Sequence, residues 1–285
     1  MAHWICVTCG TQFAESVEVP AHCPICEDER QYIGHKGQQW TTLAEMQQGG
    51  FHNEIVEVEP RLTSIQTKPS FAIGQRGLLI QTPRGNVLWD CLTLLDDATI
   101  EAVQKLGGIQ AIAISHPHYY STMAEWASAF GARVYLPEAD RGWVMRPHER
   151  IEFWRGDTLE LQDGITLIRT GGHFAGSMVL HWRDGMAGQG ALLTGDTIQV
   201  VADRTRVTFM YSYPNSLPLP AATVRRIWQR VEPYQFERIY GAWPERVVAH
   251  DAKGAVRRSA ELYVRSLEEE LSLNNLGPSG VVKQA

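Results

Sequence analysis

The sequence predicts an α/β protein in which two sheets pack together with helices outside, preceded by a small metal-stapled knuckle. Three observations carry this. From Ile55 onward, short apolar runs alternate with amphipathic helical stretches. Several of these runs end in a histidine or an aspartate, where a ligand loop would begin. Residues 1–40 hold two Cys-x-x-Cys pairs, Cys6 with Cys9 and Cys23 with Cys26.

The chain of 285 residues suits one large domain, or a medium one with a small companion. Its net charge is -6, and Lys and Arg are dispersed apart from short pairs such as Arg225-Arg226 and Arg257-Arg258, which suit solvated helix faces. A nucleic-acid partner calls for a basic stripe, and this distribution argues against one. No apolar run reaches the length of a membrane span. The start, Met1-Ala2-His3-Trp4-Ile5-Cys6, has neither a basic head nor an apolar signal core. A cytoplasmic protein with a small-molecule substrate is expected, with no membrane or nucleic-acid partner; nothing in the sequence sets the oligomeric state.

The knuckle is expected over residues 1–40. A Cys-x-x-Cys turn places two thiolates on one side of a tight loop, and two such turns close a tetrahedral sulfur site around Zn or Fe. The gap Thr11 to His22 holds a short hairpin and no more. Such a segment has too little core to fold alone, so a metal contributes much of its stability. With Gly10 after one pair and Pro24 inside the other, the pattern resembles a rubredoxin-like or zinc-ribbon knuckle. Zinc is expected there, with iron open because the ligands are the same; no partner redox motif follows. Cys91 stands alone in an apolar strand and reads as a small buried residue. Residues 41–54 form a polar, Gly-rich linker with a short helix near Thr41–Gln48, capped by Thr41 or Thr42.

The main domain is expected over residues 55–273. Ile55–Val58 and Leu62–Gln66 read as strands, and Phe71–Gly74 with Gly77–Thr82 as a hairpin turning at Gln75-Arg76. After a turn at Pro83-Arg84-Gly85-Asn86, the strand Asn86–Asp90 leads to a helix through Ala98–Leu106, started by Asp96-Asp97 and ended by Gly107-Gly108. Ile109–Ile114 is a buried strand, Ser121–Phe130 a helix, Arg133–Leu136 a strand and Asp140–Arg146 a helical turn. In the second half Thr158–Leu161, Ile165–Arg169, Met178–Trp182, Ala191–Thr194 and Ile198–Val201 read as strands. A long loop, Arg204 to Pro220, carries Phe209, Tyr211 and Tyr213. The helix Ala221–Val231, the strand Arg238–Tyr240 and a last helix Ala252–Leu273 follow, and residues 274–285 form a fraying tail.

Chemistry gathers at three strand ends. Ser115-His116-Pro117-His118 follows Ile109–Ile114, and two histidines two residues apart on extended backbone point the same way, as a metal gripped by two imidazoles requires. Thr170-Gly171-Gly172-His173 follows Ile165–Arg169, where glycines let the backbone approach closely. Leu192-Leu193-Thr194-Gly195-Asp196 ends a buried strand in a carboxylate that needs a partner, and a metal suffices.

From about Ile55 to Leu271 the chain resembles the metallo-β-lactamase superfamily. Asp90 closing its strand matches the first motif of that family. His116-Pro117-His118-Tyr119-Tyr120-Ser121 stands where the family has His-x-His-x-Asp-His. Gly172-His173-Phe174-Ala175-Gly176-Ser177 matches the third motif and Gly195-Asp196 the fourth; Tyr240-Gly241-Ala242-Trp243 stands where the fifth places a histidine. The resemblance implies an αββα sandwich with a metal cleft at the sheet edges. It also implies a first metal site of His116, His118 and His173 with Asp196 as fourth ligand. The residues private to the second site are replaced, by Tyr120, Ser121 and Trp243, which implies a mononuclear centre. His250 and Asp251 read as a cap before the last helix.

Three imidazoles and a carboxylate suit one Zn ion, with Fe or Mn open. The expected function is a metal-dependent hydrolase of a small ester, thioester or lactone. Asp196 and Tyr120 are its candidate catalytic residues, Tyr120 as an oxyanion donor. Tyr119, Trp243, Phe209 and Tyr211 are the candidate substrate contacts. A non-catalytic metal- or ligand-binding module on the same fold is the alternative, and an iron-dependent redox protein a weaker one.

Overall fold

Period-two alternation builds the layers of the protein, seen in a computed structural model that describes residues 1–268. In Val87–Trp89 the outer two side chains face one way and Leu88 the other; in Ala111–Ala113 only Ile112 turns outward, and in Ala191–Thr194 Leu192 does the same. Val87, Trp89, Ala113, Leu193 and Leu180 therefore meet in a core between two sheets. Leu88 and Ile112 instead pack beneath the helices Asp97–Lys105 and Met123–Phe130 through Val103, Met123 and Trp126. Leu192, Val179 and Ile239 pack beneath Ala221–Val231 and Ala252–Glu268 through Ile227, Val231 and Val256. Each aliphatic side chain buried this way stabilises the fold by roughly 1.5–3 kcal/mol. The result is helices, sheet, sheet, helices: the αββα sandwich.

The first sheet has seven strands in the order His52–Glu59, Leu62–Lys68, Gly77–Ile80, Val87–Trp89, Ala111–Ala113, Arg133–Pro137 and Ile151–Trp154. The first four run antiparallel and the last three join in parallel. The second has six, in the order Thr158–Gln162, Ile165–Arg169, Met178–Trp182, Ala191–Thr194, Arg238–Tyr240 and Val247–Val248. Strands from the two sheets end at a common edge, where Met178 N donates to Ser115 O at 3.0 Å and ties one sheet to the other.

Three local expectations differ from the structure. Residues 71–74 are a turn, not a strand: Gly74 N donates to Phe71 O, and Ala72 and Gly74 have φ of 52° and 76°. The next two side chains are drawn inward instead of continuing a hairpin, Gln75 Nε2 to Cys91 O at 2.8 Å and Arg76 through Nε and Nη2 to Gly241 O. The strand Ile151–Trp154 has no counterpart in the sequence reading: the exposed Glu152 interrupts its short apolar run, while Trp154 at its end is buried in the core between the sheets. The loop after residue 204 is not irregular throughout: Val207–Thr208 pairs with Gln199–Val200, inside the expected strand Ile198–Val201, and Met210–Ser212 pairs with Leu217–Pro218. The expected tail over residues 274–285, and the end of the last helix up to Leu273, lie outside the described residues.

In the knuckle, Ile5–Cys6 pairs with Trp40–Thr41, and Cys26 is carried by the short helix Pro24–Glu27. The helix Leu43–Gln48 begins at a capping box in which Thr42 Oγ1 accepts from Glu45 N and the Glu45 carboxylate accepts from Thr42 N. The knuckle is seated on the sandwich: Gln12 N donates to Ser121 O and Ala14 N to Met145 O, each at 3.0 Å, and Ile5 and Met46 share a cluster with Leu94. No helix among the described residues is long and apolar enough to cross a membrane.

Candidate metal centre

His116, His118, His173 and Asp196 meet at the common sheet edge, each offering one ligand atom, all within 4.8 Å of one another and all buried. The first two follow Ala111–Ala113, with Pro117–Tyr119 forming a single 3-10 turn. His173 follows Ile165–Arg169 behind Gly171 and Gly172, whose φ of 63° and 96° place this loop in the left-handed region that favours glycine. Asp196 follows Ala191–Thr194.

Neighbours fix the state of each ligand. Ser115 Oγ and His116 Nδ1 share a hydrogen bond at 2.9 Å. The Met210 carbonyl can only accept, so His173 Nδ1 carries the proton that it donates there at 3.3 Å, leaving Nε2 as a lone pair. His173 Nε2 lies 3.2 Å from His118 Nδ1. Asp196 Oδ1 accepts from Tyr119 Oη at 2.7 Å, while Oδ2 faces His116 Nε2 at 3.4 Å and His173 Nε2 at 4.0 Å. Burial, then the neighbouring imidazoles, holds His118 well below the usual histidine range and His173 at about 3. Burial alone would raise Asp196, but His116, His173 and Tyr119 bring it below the usual carboxylate value. His118 and His173 are thus neutral imidazoles facing a carboxylate, the protonation state in which these side chains ligate. His116 Nε2, which faces the Asp196 carboxylate, is buried with no hydrogen-bond partner, and His118 turns its Nδ1 toward His173 Nε2. An unmatched buried polar atom costs about 1–3 kcal/mol, and a divalent metal would satisfy this donor set.

The four knuckle sulfurs likewise lie within 4.8 Å of one another, with Cys6 Sγ 3.5 Å from Cys26 Sγ and Cys9 Sγ 3.7 Å from Cys23 Sγ. Hydrogen bonds from the other three cysteines hold Cys6 far below the usual thiol range, and four converging buried sulfurs are the donor set of a closed tetrahedral site. Cys91 is buried away from both clusters, and burial pushes its thiol up, as for an inert core residue.

A cavity of about 280 Å³ opens on the histidine cluster. His118, His173 and Asp196 line it, with Trp243 and Tyr213 from the main domain and Arg30 and Gln31 from the knuckle. Of the other residues singled out in the sequence, Tyr119 supports Asp196 from behind. Tyr120 packs into the helix-side core; its hydroxyl has no partner and does not reach the cavity lining. Ser121 Oγ is engaged by Gln75 Nε2 at 3.2 Å and by Cys91 O at 3.4 Å. Phe209 lies fully buried in the core beneath the last two helices, against Tyr263. Tyr211 donates to Glu29 of the knuckle at 2.5 Å. His250 and Asp251 are exposed at the start of the last helix, beside Glu237 and away from the cavity. Asp90 stands behind the cluster and accepts from Ser115 N at 2.7 Å; burial raises its carboxyl to about 7. Sequence reading missed Ser115, the Met210 carbonyl and Arg30. The Met210 carbonyl and Arg30 have no spacing signal, since each acts through a fold contact, whereas Ser115 acts on its immediate neighbour His116.

Comparisons with known proteins agree with this geometry. Residues 77–275 match the family described as the Metallo-beta-lactamase superfamily. A protein of Bacillus subtilis (strain 168), named Uncharacterized protein YmaE, is 54% identical over 272 residues, covering 95% of this chain and 99% of that one. Among solved structures, DIM-1 metallo-beta-lactamase superposes with a TM-score of 0.57 at 13% identity, over 75% of this chain and 98% of its own. VMB-1 gives 0.57 at 12%, over 76% and 98%. At such identities the likeness concerns the fold alone.

Proposed function

The chain belongs to the metallo-β-lactamase superfamily, and we propose that within it the protein is a hydrolase with one metal ion in the cleft, acting on a small ester, thioester or lactone. The observation that carries the reading is the convergence of three imidazoles and one carboxylate, with His116 Nε2 buried and unpartnered among them, on a 280 Å³ cavity. Among the described residues no further histidine, cysteine or acidic group joins that cluster. Ser121 is occupied by Gln75 and Cys91, and Tyr120 is folded into the core, which favours a mononuclear centre.

His116, His118, His173 and Asp196 would hold the ion, and Cys6, Cys9, Cys23 and Cys26 a second one in the knuckle; zinc suits both donor sets. The cleft metal, when bound, polarises a carbonyl and supplies hydroxide near neutral pH. The chain does the rest. Ser115 and the Met210 carbonyl hold the His116 and His173 imidazoles in place, which limits reorganisation as charge develops. Asp196 stays ionised, with Oδ2 directed into the cluster, where it can take a proton or hold one by hydrogen bond. Trp243, Tyr213 and Pro214 give the substrate an apolar wall. The cavity holds few full charges beyond the cluster, since Arg30 is paired with Asp28, and this suits an uncharged small molecule. Tyr120 has no line of approach as an oxyanion donor in this reading. We propose domain limits at residues 1–40, 41–54 and 55–273 as expected from sequence, with the first strand of the sandwich, His52–Glu59, beginning three residues inside the linker.

The test is metal content with turnover. Two metals per chain and cleavage of at least one class in a panel of small esters, thioesters and lactones, lost in Asp196→Asn, would support the reading. Full occupancy with no turnover across the panel would turn it toward a binding module on the same fold, which the missing carboxylate at position 120 favours.

A further inference from the structure

We propose that the four-cysteine knuckle is a working part of the cleft: residues Arg30 to Tyr32 wall the cavity, and Arg30 is a positioning residue that holds the His173 loop. His173 follows two glycines at positive φ, so its loop has little intrinsic stiffness. It is restrained from outside on two sides. Arg30 Nη1 donates to the His173 carbonyl at 3.2 Å, and the guanidinium lies 3.8 Å over the ring of Phe174, the next residue. On the other side, the His173 ring donates to Met210 O, and the loop beyond Met210 is held by the same knuckle segment. There Ser212 Oγ donates to Arg30 O at 3.1 Å, and Asn215 Nδ2 to Glu29 O at 2.9 Å and Gln31 O at 3.2 Å.

Arg30 is itself clamped. Asp28 takes Nε at 2.5 Å and Nη2 at 2.8 Å in a two-point fork and accepts from Arg30 N at 3.0 Å. With its fork filled and its charge matched, this arginine is a strut and not an open anion receptor. The strut starts at the sulfur site: Glu27 N donates to Cys23 O and Asp28 N to Pro24 O, two residues after Cys26. A metal in the knuckle therefore orders the turn from which Asp28 and Arg30 project. Gln31 is buried on the cavity wall, and Thr8 and Tyr32 complete that side, facing His118, His173 and Asp196. The wall offers amide and hydroxyl groups, which suit a neutral polar ligand.

The recognition role rests on the hydrolase reading; the clamp on His173 does not. The test uses the full-length protein with both sites loaded. Release of the cleft metal to a chromophoric chelator is measured for Arg30→Ala and Arg30→Lys, with the visible absorption of the cobalt-substituted cleft as a second readout. Loss of a group supporting a metal ligand commonly costs about 10–100-fold in affinity. Arg30→Ala is expected to weaken the cleft site by about that factor and shift the cobalt bands, with the knuckle metal retained. Arg30→Lys, which keeps the charge and loses the fork, recovers only part. If Arg30→Ala fails to fold, Asn215→Ala tests the second arm from an exposed position. Affinity within twofold of wild type and unchanged cobalt bands would overturn the clamp. Gln31→Ala is expected to raise KM with kcat unchanged; an unchanged KM would overturn the wall. A protein that cleaves nothing in the panel, but whose cleft metal loosens in Arg30→Ala, would sink the hydrolase reading and leave the clamp standing.

Discussion

Tyr119 Oη donates to Asp196 Oδ1 at 2.7 Å, and that bond turns the other carboxylate oxygen, Oδ2, toward His116 and His173. Both side chains are buried, and burial together with the Asp196 charge raises the Tyr119 hydroxyl well above its ordinary range. Tyr119 is therefore a donor at every working pH. Tyr119→Phe leaves Oδ1 buried without this partner. The expected result is a cleft metal bound about 10–100-fold more weakly, read by chelator competition. Affinity equal to wild type would mean that Tyr213, whose hydroxyl reaches the Asp196 backbone carbonyl at 2.7 Å, is sufficient to orient the residue.

The two clusters are separate donor sets, so their metals come away separately. Elemental analysis of wild type is expected to give about two metals per chain, and His118→Ala about one, retained by the cysteines. Exposure to strong chelator removes the cleft ion first, because a closed four-thiolate site is the less accessible one. A third metal per chain, or loss of both in His118→Ala, would contradict a mononuclear cleft beside an independent knuckle.

Much of this was legible in the sequence, and the limits have physical causes. His116, His118, His173 and Asp196 sit at strand ends, and strand ends are marked by where an apolar run stops; the cysteine pairs are marked by spacing. The layers were legible because Leu88 and Ile112 break the facing of their neighbours with period two. Illegible were features set by contacts between distant segments. The role of Tyr119 depends on a bond to a residue 77 positions away, and Arg30 reaches His173 across 143. Phe209 and Tyr211 lie two residues apart on a loop that faces core on one side and knuckle on the other, so an aromatic stretch read as one wall divides between two places.

Asp140 makes the fold sensitive to pH. It is 1% exposed; Oδ1 accepts from Gly176 N at 2.8 Å and Oδ2 has no partner. Burial raises its carboxyl to about 6 from 3.8. An acid whose folded value is raised contributes stability that is fully present below about pH 3.8 and lost as pH rises through about 6, because the unfolded chain gives up its proton first. The shift corresponds to about 3 kcal/mol. Asp140→Asn, which can still accept from Gly176 N, should melt higher than wild type at pH 8, the gap closing by pH 4. A gap independent of pH would assign the effect to packing.

Gly10 tests how firmly the knuckle is seated on the sandwich. It follows Cys9 at φ 79°, and a Cβ there would lie 2.4 Å from Thr93 Oγ1. Gly37 has the same φ of 79° with open space around it, which makes it the internal control. Gly37→Ala should cost only the left-handed backbone term, about 1 kcal/mol. Gly10→Ala incurs that term and must also displace Thr93, whose hydroxyl donates to Gly10 O at 3.3 Å, so about 2–3 kcal/mol in total is expected. The pair is compared by thermal or denaturant unfolding of the loaded protein. Thr93→Ala in the Gly10→Ala background removes the colliding oxygen and should recover part of the loss. Equal losses at the two glycines, with no recovery from Thr93→Ala, would show that the backbone after Cys9 does not bear on Thr93.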